Sequence, residues 1–232
     1  SWQKLIRVLT HEIMNSITPI ASLASTIDDL IEESSGPQRA EEPGEEARRE
    51  ALSDIHGAAQ TIQKRSQGLL QFVDAYRNLT LIPQPRPETF PIGELFQRVQ
   101  KLMAPQAGDK VRDFRSSVEP EDLRLYADPA LIEQVVINLL LNAAQSLGGQ
   151  KDARILLTAY QDGQARTLIE VRDNGPGIAA ENIDKIFIPF FSTKEGGAGV
   201  GLSFSRQVMH LHRGSISVHS RPGEETVFTL RF

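Results

Sequence analysis

Asp173-Asn174-Gly175-Pro176-Gly177-Ile178 follows a strand predicted over 168–172 and decides how the rest of this 232-residue chain is read. An acid at a strand end can accept a hydrogen bond from an exocyclic amine such as that of adenine. Gly175 and Gly177 supply permissive backbone beside a flat ring. Upstream, Asn138 and Asn142 stand i, i+4 and so share one helix face. An amide oxygen is a hard, neutral ligand, and Mg²⁺ usually takes few protein ligands besides phosphate oxygens and water. The flanking Ile137, Leu139, Leu140 and Leu141 are all apolar, so two amides here need a reason. Downstream, Gly197, Gly199 and Gly201 run into a helix predicted from Leu202, and free N–H groups at a helix start favour phosphate. Between the loops, Phe187-Ile188-Pro189-Phe190-Phe191-Ser192-Thr193-Lys194 joins an aromatic anchor to a cation and suits a lid whose Lys194 reaches a phosphate. Taken singly, each signal is ordinary: glycine loops are often merely flexible, and a helical Asn is usually solvated. In this order they suit an ATP site that is not a P-loop.

Composition narrows the alternatives. Hydrophobic residues make up 40% of the chain, enough for a packed core throughout. A net charge of -5 and a pI near 5.6 argue against nucleic acid as the main partner. There is no cysteine, which excludes disulfides and thiolate metal sites. No apolar run approaches the roughly 18 residues of a membrane span, so no membrane contact is expected within this stretch. The chain opens at Ser1 inside a predicted helix and is expected to be a piece of a longer protein. His210, His212 and His219 lack carboxylates at metal-ligand spacing.

Hydrophobic periodicity predicts a helix over 1–33 (Leu5, Leu9, Ile13, Ile20, Leu23, Ile27), a polar loop over 34–46, and a second helix carrying Leu52, Ile55, Ile62, Leu69 and Val73. Such a hairpin cannot bury both stripes alone, and pairing with a second copy into a four-helix bundle would do so. A homodimer is therefore expected. Three prolines in 81–90 read as a stiff linker, dividing domains at 1–80 and 91–232. Beyond it, a helix is expected over 92–104 and strands over 111–118 and 123–126. Asp128-Pro129 is an N-cap and first-turn pair for a helix reaching Gly148. Strands over 155–160 and 168–172 form a hairpin turned at Asp162-Gly163. A helix over 202–211 and strands over 215–219 and 226–231 complete a two-layer α/β sandwich.

These motifs in this order resemble the catalytic ATP-binding domain of sensor histidine kinases, in the superfamily that includes gyrase, MutL and a heat-shock chaperone. The likeness covers about 91–232. The N box corresponds to 133–144, the G1 box to 173–177, the F box to 187–194 and the G2 box to 197–202. The resemblance implies Mg²⁺ held by Asn142, adenine bound by Asp173, and phosphates against Gly199 and Gly201. The implied nucleotide contacts are Asn138, Asn142, Asp173, Gly175, Gly177, Ile178, Phe190, Thr193, Lys194, Gly197, Gly199, Val200, Gly201, Leu202 and Thr226. Gyrase-like relatives carry a water-activating Glu one turn before the Mg²⁺ ligand. Here that position is Asn138, which cannot act as a general base. The last glycine box departs from Gly-x-Gly-Thr, reading Gly223-Glu224-Glu225-Thr226, while Thr226 and Phe228 are kept.

At about 100° per residue, the apolar stripe of the first helix centres near Leu9, and His11 falls nearly opposite it. Asn15, Thr18 and Ser22 fall beside His11, so that face is polar. His11-Glu12-x-x-Asn15 resembles the H box of the same kinases' dimerisation and phosphotransfer domain. The resemblance implies His11 as phosphoacceptor, Glu12 as its base, and Asn15 as a residue that orients water in a phosphatase reaction. It also implies a response-regulator receiver domain as partner and a cytoplasmic kinase core, compatible with a membrane-bound parent. Pro19 removes a donor to the Asn15 carbonyl and predicts a bend; the family's proline usually stands where this chain has Ser16. The competing classes are a catalytically silent dimerisation scaffold and a gyrase-type ATPase.

Overall fold

The computed structural model describes residues 2–35, 45–107, 111, 113–194 and 199–232. It divides into two units, Ser1–Arg77 and Asn78–Phe232.

The first unit holds α1 (Trp2–Ser35) and all but the last three residues of α2 (Glu45–Thr80). Helix α1 runs unbroken through Pro19. Its half-buried positions, Ile13, Ser16, Pro19, Ile20, Leu23, Ile27 and Leu30, recur at helical spacing. In α2 they are Ala51, Ile55, Ala58, Ile62, Ser66, Leu69 and Tyr76. Among the described residues of this unit none is fully buried, and Met14, Ile17, Ile31, Leu52, Leu70 and Val73 stay exposed. Asn15, Thr18 and Ser22 are exposed, as the polar face requires. The expectations for the His11 and Glu12 side chains, and for most of the 34–46 loop, lie outside the described residues.

The second unit begins earlier than 91. The stretch expected to be a linker joins it: Glu88–Pro91 is strand β1, Phe90 is buried, and Ile82 packs on the core. The hidden signal is one of pairing, because β1 needs β3 (Arg124–Ala127) as its antiparallel partner. Then come α3 (Ile92–Ala107), β2 (Asp113–Glu119), α4 (Pro129–Ser146), β4 (Arg154–Gln161), β5 (Thr167–Asp173), the short α5 (Ala180–Ile183), α6 (Gly201–Leu211), β6 (Ser215–Arg221) and β7 (Glu225–Arg231). The main sheet has the order β2-β4-β5-β7-β6. Among the described residues only β2 and β4 pair in parallel. Alternation along β4 sends Ile155, Leu157 and Ala159 inward. They meet Ile132, Val135, Val136, Leu139 and Leu140 of α4, with Leu95, Phe96 and Val99 of α3 and Val208 and Met209 of α6 in the same core. Among the described residues no helix is long and apolar enough to cross a membrane.

Two local readings change. The β4–β5 connection is not a two-residue turn at Asp162-Gly163. Asp162 instead accepts hydrogen bonds from the backbone of Gln164 and Arg166, and Ala165 takes the positive φ of 57°. An Asp side chain that mimics a backbone turn allows this longer loop. Helix α4 ends at Ser146, capped by Leu147.

The expected start of α4 holds. Asp128 sits in extended backbone, and its Oδ1 accepts from the N–H groups of Ala130 (3.0 Å) and Leu131 (3.1 Å). Oδ2 accepts from the Arg86 N–H at 2.8 Å. Burial pushes this carboxyl up, but those three N–H groups outweigh it and hold the group below its ordinary value. Asp128→Ala is expected to lower the unfolding free energy of this unit by about 1–3 kcal/mol. Urea denaturation followed by circular dichroism measures it, and an unchanged midpoint would remove the cap from this account.

Candidate nucleotide site

Four segments converge where α4, the end of β5 and the start of α6 meet. Asn138 and Asn142 are half-buried on α4. A Cβ built on Gly201 would lie 3.7 Å from Asn138 Cγ, so the first turn of α6 stands against this amide. Val200 caps α6 without a side-chain bond to its first N–H groups, which leaves the helix start open to an anion.

Asp173 ends β5, pairs with Ile155 and Thr226, and is only 4% exposed. The Gly175 N–H donates to its Oδ1 at 2.9 Å. A Cβ at Gly175 would fall 2.7 Å from that oxygen and 3.2 Å from Ser146 Oγ, so any larger residue displaces the carboxylate. Burial pushes the Asp173 carboxyl up to about 6, against the lowering influence of the Gly175 N–H, the Lys194 ammonium and the Ser146 hydroxyl.

The G1 loop is braced from behind. Gly177 has φ +78°, and a Cβ there would lie 2.8 Å from both Arg221 O and Pro222 Cα. The Gly223 N–H donates to Pro176 O at 2.8 Å, and the Ile178 N–H to Ser220 Oγ at 2.9 Å. Ser220 in turn lies 3.0 Å from the hydroxyl of buried Thr226. Asn174 ties the loop to the chain after α4, with its Oδ1 accepting from the Arg154 N–H at 2.7 Å.

The lid is anchored at both ends. The Phe190 N–H donates to Gly199 O at 2.9 Å, and Gly199 has φ +66° with no room for a Cβ beside Phe190 and Phe191. Arg206 of α6 lies over the Phe187 ring at 5.6 Å. Lys194 Nζ donates to the Asn142 carbonyl at 3.0 Å and reaches Gln145 Oε1 at 3.5 Å. Partial desolvation holds its ammonium below the ordinary lysine value, and attraction to Asp173 opposes this.

The structure therefore brings together Asn138, Asn142, Asp173, Gly175, Lys194 and Gly201. Behind them, Ser220 links Ile178 to Thr226, and Gly177 lies against Arg221 and Pro222. Leu202 packs partly on the core, and Thr193 is exposed. Gly197 lies outside the described residues. Sequence reading assigns no role to Ser146, Ser220, Gln145 or Arg206. Among the described residues no three His, Asp or Glu side chains group together. A divalent ion here would fit one amide oxygen from Asn142 plus phosphate oxygens and water. The Glu225 departure is a strand feature: it ion-pairs with Arg172 of β5 at 3.1 Å, on the rim of a 380 Å³ groove on the outer sheet face.

The family described as Histidine kinase-, DNA gyrase B-, and HSP90-like ATPase matches residues 127–232. The chain is 31% identical over 230 residues to Signal transduction histidine-protein kinase AtoS of Escherichia coli (strain K12), covering 98% of this chain and 34% of AtoS. It thus spans about a third of that relative's length. Its fold matches the nucleotide-free catalytic domain of histidine kinase ThkA at TM-score 0.57 and 34% identity, covering 63% of this chain and 95% of that one. Histidine kinase ThkA in complex with response regulator protein TrrA matches at TM-score 0.61 and 21% identity, over 99% of this chain and 63% of that one.

Asp173 makes a pH prediction. A carboxyl held near 6 rather than 3.8 binds its proton more tightly when folded. Its contribution to stability is complete below 3.8 and lost as pH rises through 6. The nucleotide-free wild type is expected to gain on the order of 2–3 kcal/mol from this group as pH falls from about 7 to about 4. Asp173→Asn should lack that gain. Urea unfolding of both across this range reads it, and a pH-independent difference between them would count against a desolvated carboxylate.

Proposed function

The chain belongs to the sensor histidine kinases, and from that premise we propose that it moves the γ-phosphoryl group of ATP to His11 and then to an aspartate of a receiver domain. The observation that carries this reading is the convergence of the Asp173 carboxylate, the Asn142 turn of α4 and Lys194 on one site. The unit Asn78–Phe232, which takes in the stretch before residue 91, acts as the catalytic ATP-binding domain. The unit Ser1–Arg77 acts as the dimerisation and phosphotransfer domain.

Asp173 accepts a hydrogen bond from the adenine amine, and Gly175 lets the ring lie close to it. The open first turn of α6, at Gly201 and Leu202, takes the phosphates together with Gly199. Lys194 leaves the Asn142 carbonyl for the γ-phosphate, where its charge is better used. Asn142 would hold Mg²⁺, which would supply charge neutralisation at the phosphates. A lone pair on an imidazole nitrogen of His11 forms the new N–P bond, and the P–O bond to ADP breaks. The proton from the other ring nitrogen passes to Glu12. An aspartate oxygen of the receiver then displaces His11 from phosphorus, and the imidazole takes a proton back. Asn15 orients the water that later removes the phosphoryl group from that aspartate.

Asn138 supports transfer over hydrolysis, since an amide cannot deprotonate water. A response regulator is the expected partner, with the ThkA–TrrA complex as precedent. The exposed apolar side chains of α1 and α2 support a homodimer, because a second copy would cover them.

Incubating the protein with [γ-³²P]ATP and Mg²⁺ should give label that is acid-labile and base-stable. His11→Gln should give none while still binding nucleotide, and wild type that stays unlabelled would sink the kinase reading. Asn142→Ala should weaken Mg²⁺-dependent nucleotide binding at least about tenfold, equivalent to roughly 1.4 kcal/mol, by isothermal titration calorimetry. Steady phosphate release that survives His11→Gln would favour the gyrase-type ATPase instead.

A further inference from the structure

Asp128 carries three connections at one point of the fold. Oδ1 caps α4, and Oδ2 accepts from the backbone N–H of Arg86 at 2.8 Å. Its own N–H donates to His212 Nε2 at 3.0 Å, while His212 Nδ1 lies 2.8 Å from Val208 O. With Nε2 accepting, Nδ1 is the nitrogen that donates, so both ring nitrogens are engaged. His212 closes α6, and Gly201 opens that helix beside Asn138. The two helices of the nucleotide site are thus pinned together at the end away from Asn142.

The connection to Arg86 leads back along the chain toward α2. Pro83, Pro85 and Pro87 hold this stretch extended, because proline fixes its own φ and restricts the residue before it. Pro83, Gln84, Arg86 and Pro87 are exposed, and Pro83 to Arg86 line an open groove together with Asp128. Ile82 packs on the core and β1 begins at Glu88. Between them, the hydrogen bond that ties the stretch down runs from Arg86 to the carboxylate that starts α4. That bond is charge-assisted but stands at the edge of water.

We propose that Asp128 and His212 are positioning residues that couple docking of segment 81–87 to nucleotide binding between α4 and α6. The proposal rests on reading those helices as the nucleotide site. When the Arg86 N–H departs, Oδ2 loses its partner, and the cap that fixes the start of α4 is held from fewer sides. A nucleotide that spans α4 and the first turn of α6 holds the helices in register and so presents Oδ2 to Arg86. By linkage, each event strengthens the other by the same factor.

The full chain tests this with Mg²⁺ and ADP as the probe. Arg86 carries the only amide hydrogen between Pro85 and Pro87, so its hydrogen exchange can be read alone by NMR. Saturating ADP should slow that exchange at least about threefold. Arg86→Pro removes the donor while the flanking prolines already favour its path, and should raise the ADP Kd about three- to tenfold. Arg86→Ala keeps the N–H and should stay within about twofold of wild type. His212→Leu should raise the Kd about tenfold, and His212→Gln, whose amide oxygen can accept from Asp128, should recover most of it. All variants are compared at a temperature where circular dichroism shows them folded. Wild type that binds no ADP would overturn the nucleotide-site reading and this coupling with it. ADP binding with unchanged Arg86 exchange, or a Kd equal in Arg86→Pro and Arg86→Ala, would overturn the coupling alone. A lowered melting temperature with an unaltered Kd would reduce the junction to a structural one and also overturn it.

Discussion

Helix α4 must bury one side against the sheet and still offer two amides on the other, and the second unit is arranged around that constraint. Leu131, Ile132, Val135, Val136, Leu139, Leu140, Ala143 and Ala144 are all buried. Each large aliphatic side chain among them contributes about 1.5–3 kcal/mol by leaving water. Rotating the helix by one residue would expose most of that surface, so its azimuth is fixed. The amides of Asn138 and Asn142 are fixed with it. The first turn of α6 and the lid then only have to reach a face that cannot turn away. Lys194 on the Asn142 carbonyl marks how close the lid comes.

The two units solve burial differently. The sheet unit closes its own core, with Ile92, Leu95, Ile132, Leu139, Leu157, Ile169 and Leu230 nearly or wholly removed from solvent. The helical unit has half-buried seams flanked by exposed Met14, Ile17, Leu52 and Leu70. If α1 carries the proposed phosphoacceptor, it needs an accessible polar side, which limits how much of it can be hidden. Apolar surface supplied by another chain would resolve that conflict while leaving the polar side open.

Much of this arrangement is legible in the residues, and the exceptions have a common cause. Asp128-Pro129 announces the start of α4 because both the cap and the proline act within three residues. Asp173 and its glycines announce one end of the site because the carboxylate, Gly175 and Gly177 form one local loop. Strand β1 hides behind the three prolines that precede it, while its partner lies more than thirty residues on, Glu88 against Ala127. Ser220 is invisible for the same reason: its bond to the Ile178 N–H spans 42 residues. Glu225 looks like a bare loss of the family's second glycine in that box, yet the Arg172 guanidinium that pairs with it sits on another strand. The Asp162 turn misleads locally, because an Asp side chain can close a longer loop than its neighbouring glycine suggests.

The parallel pairing in the sheet has a kinetic consequence. The β4–β5 and β6–β7 ladders join strands separated by short turns, so little chain entropy opposes their closure. Strand β2 meets β4 across a much longer stretch, Asp113 against Arg154, and β3 and α4 lie in the chain between them. Contacts of greater sequence separation form later as a rule. Strands β5 and β7 meet across a stretch longer still, Asp173 against Thr226 with α6 between them, so both helices that bound the site lie in crossovers that settle after the hairpins. A ribosome releasing this chain would hold finished hairpins before it held a nucleotide site, and ligand could speed only the final step.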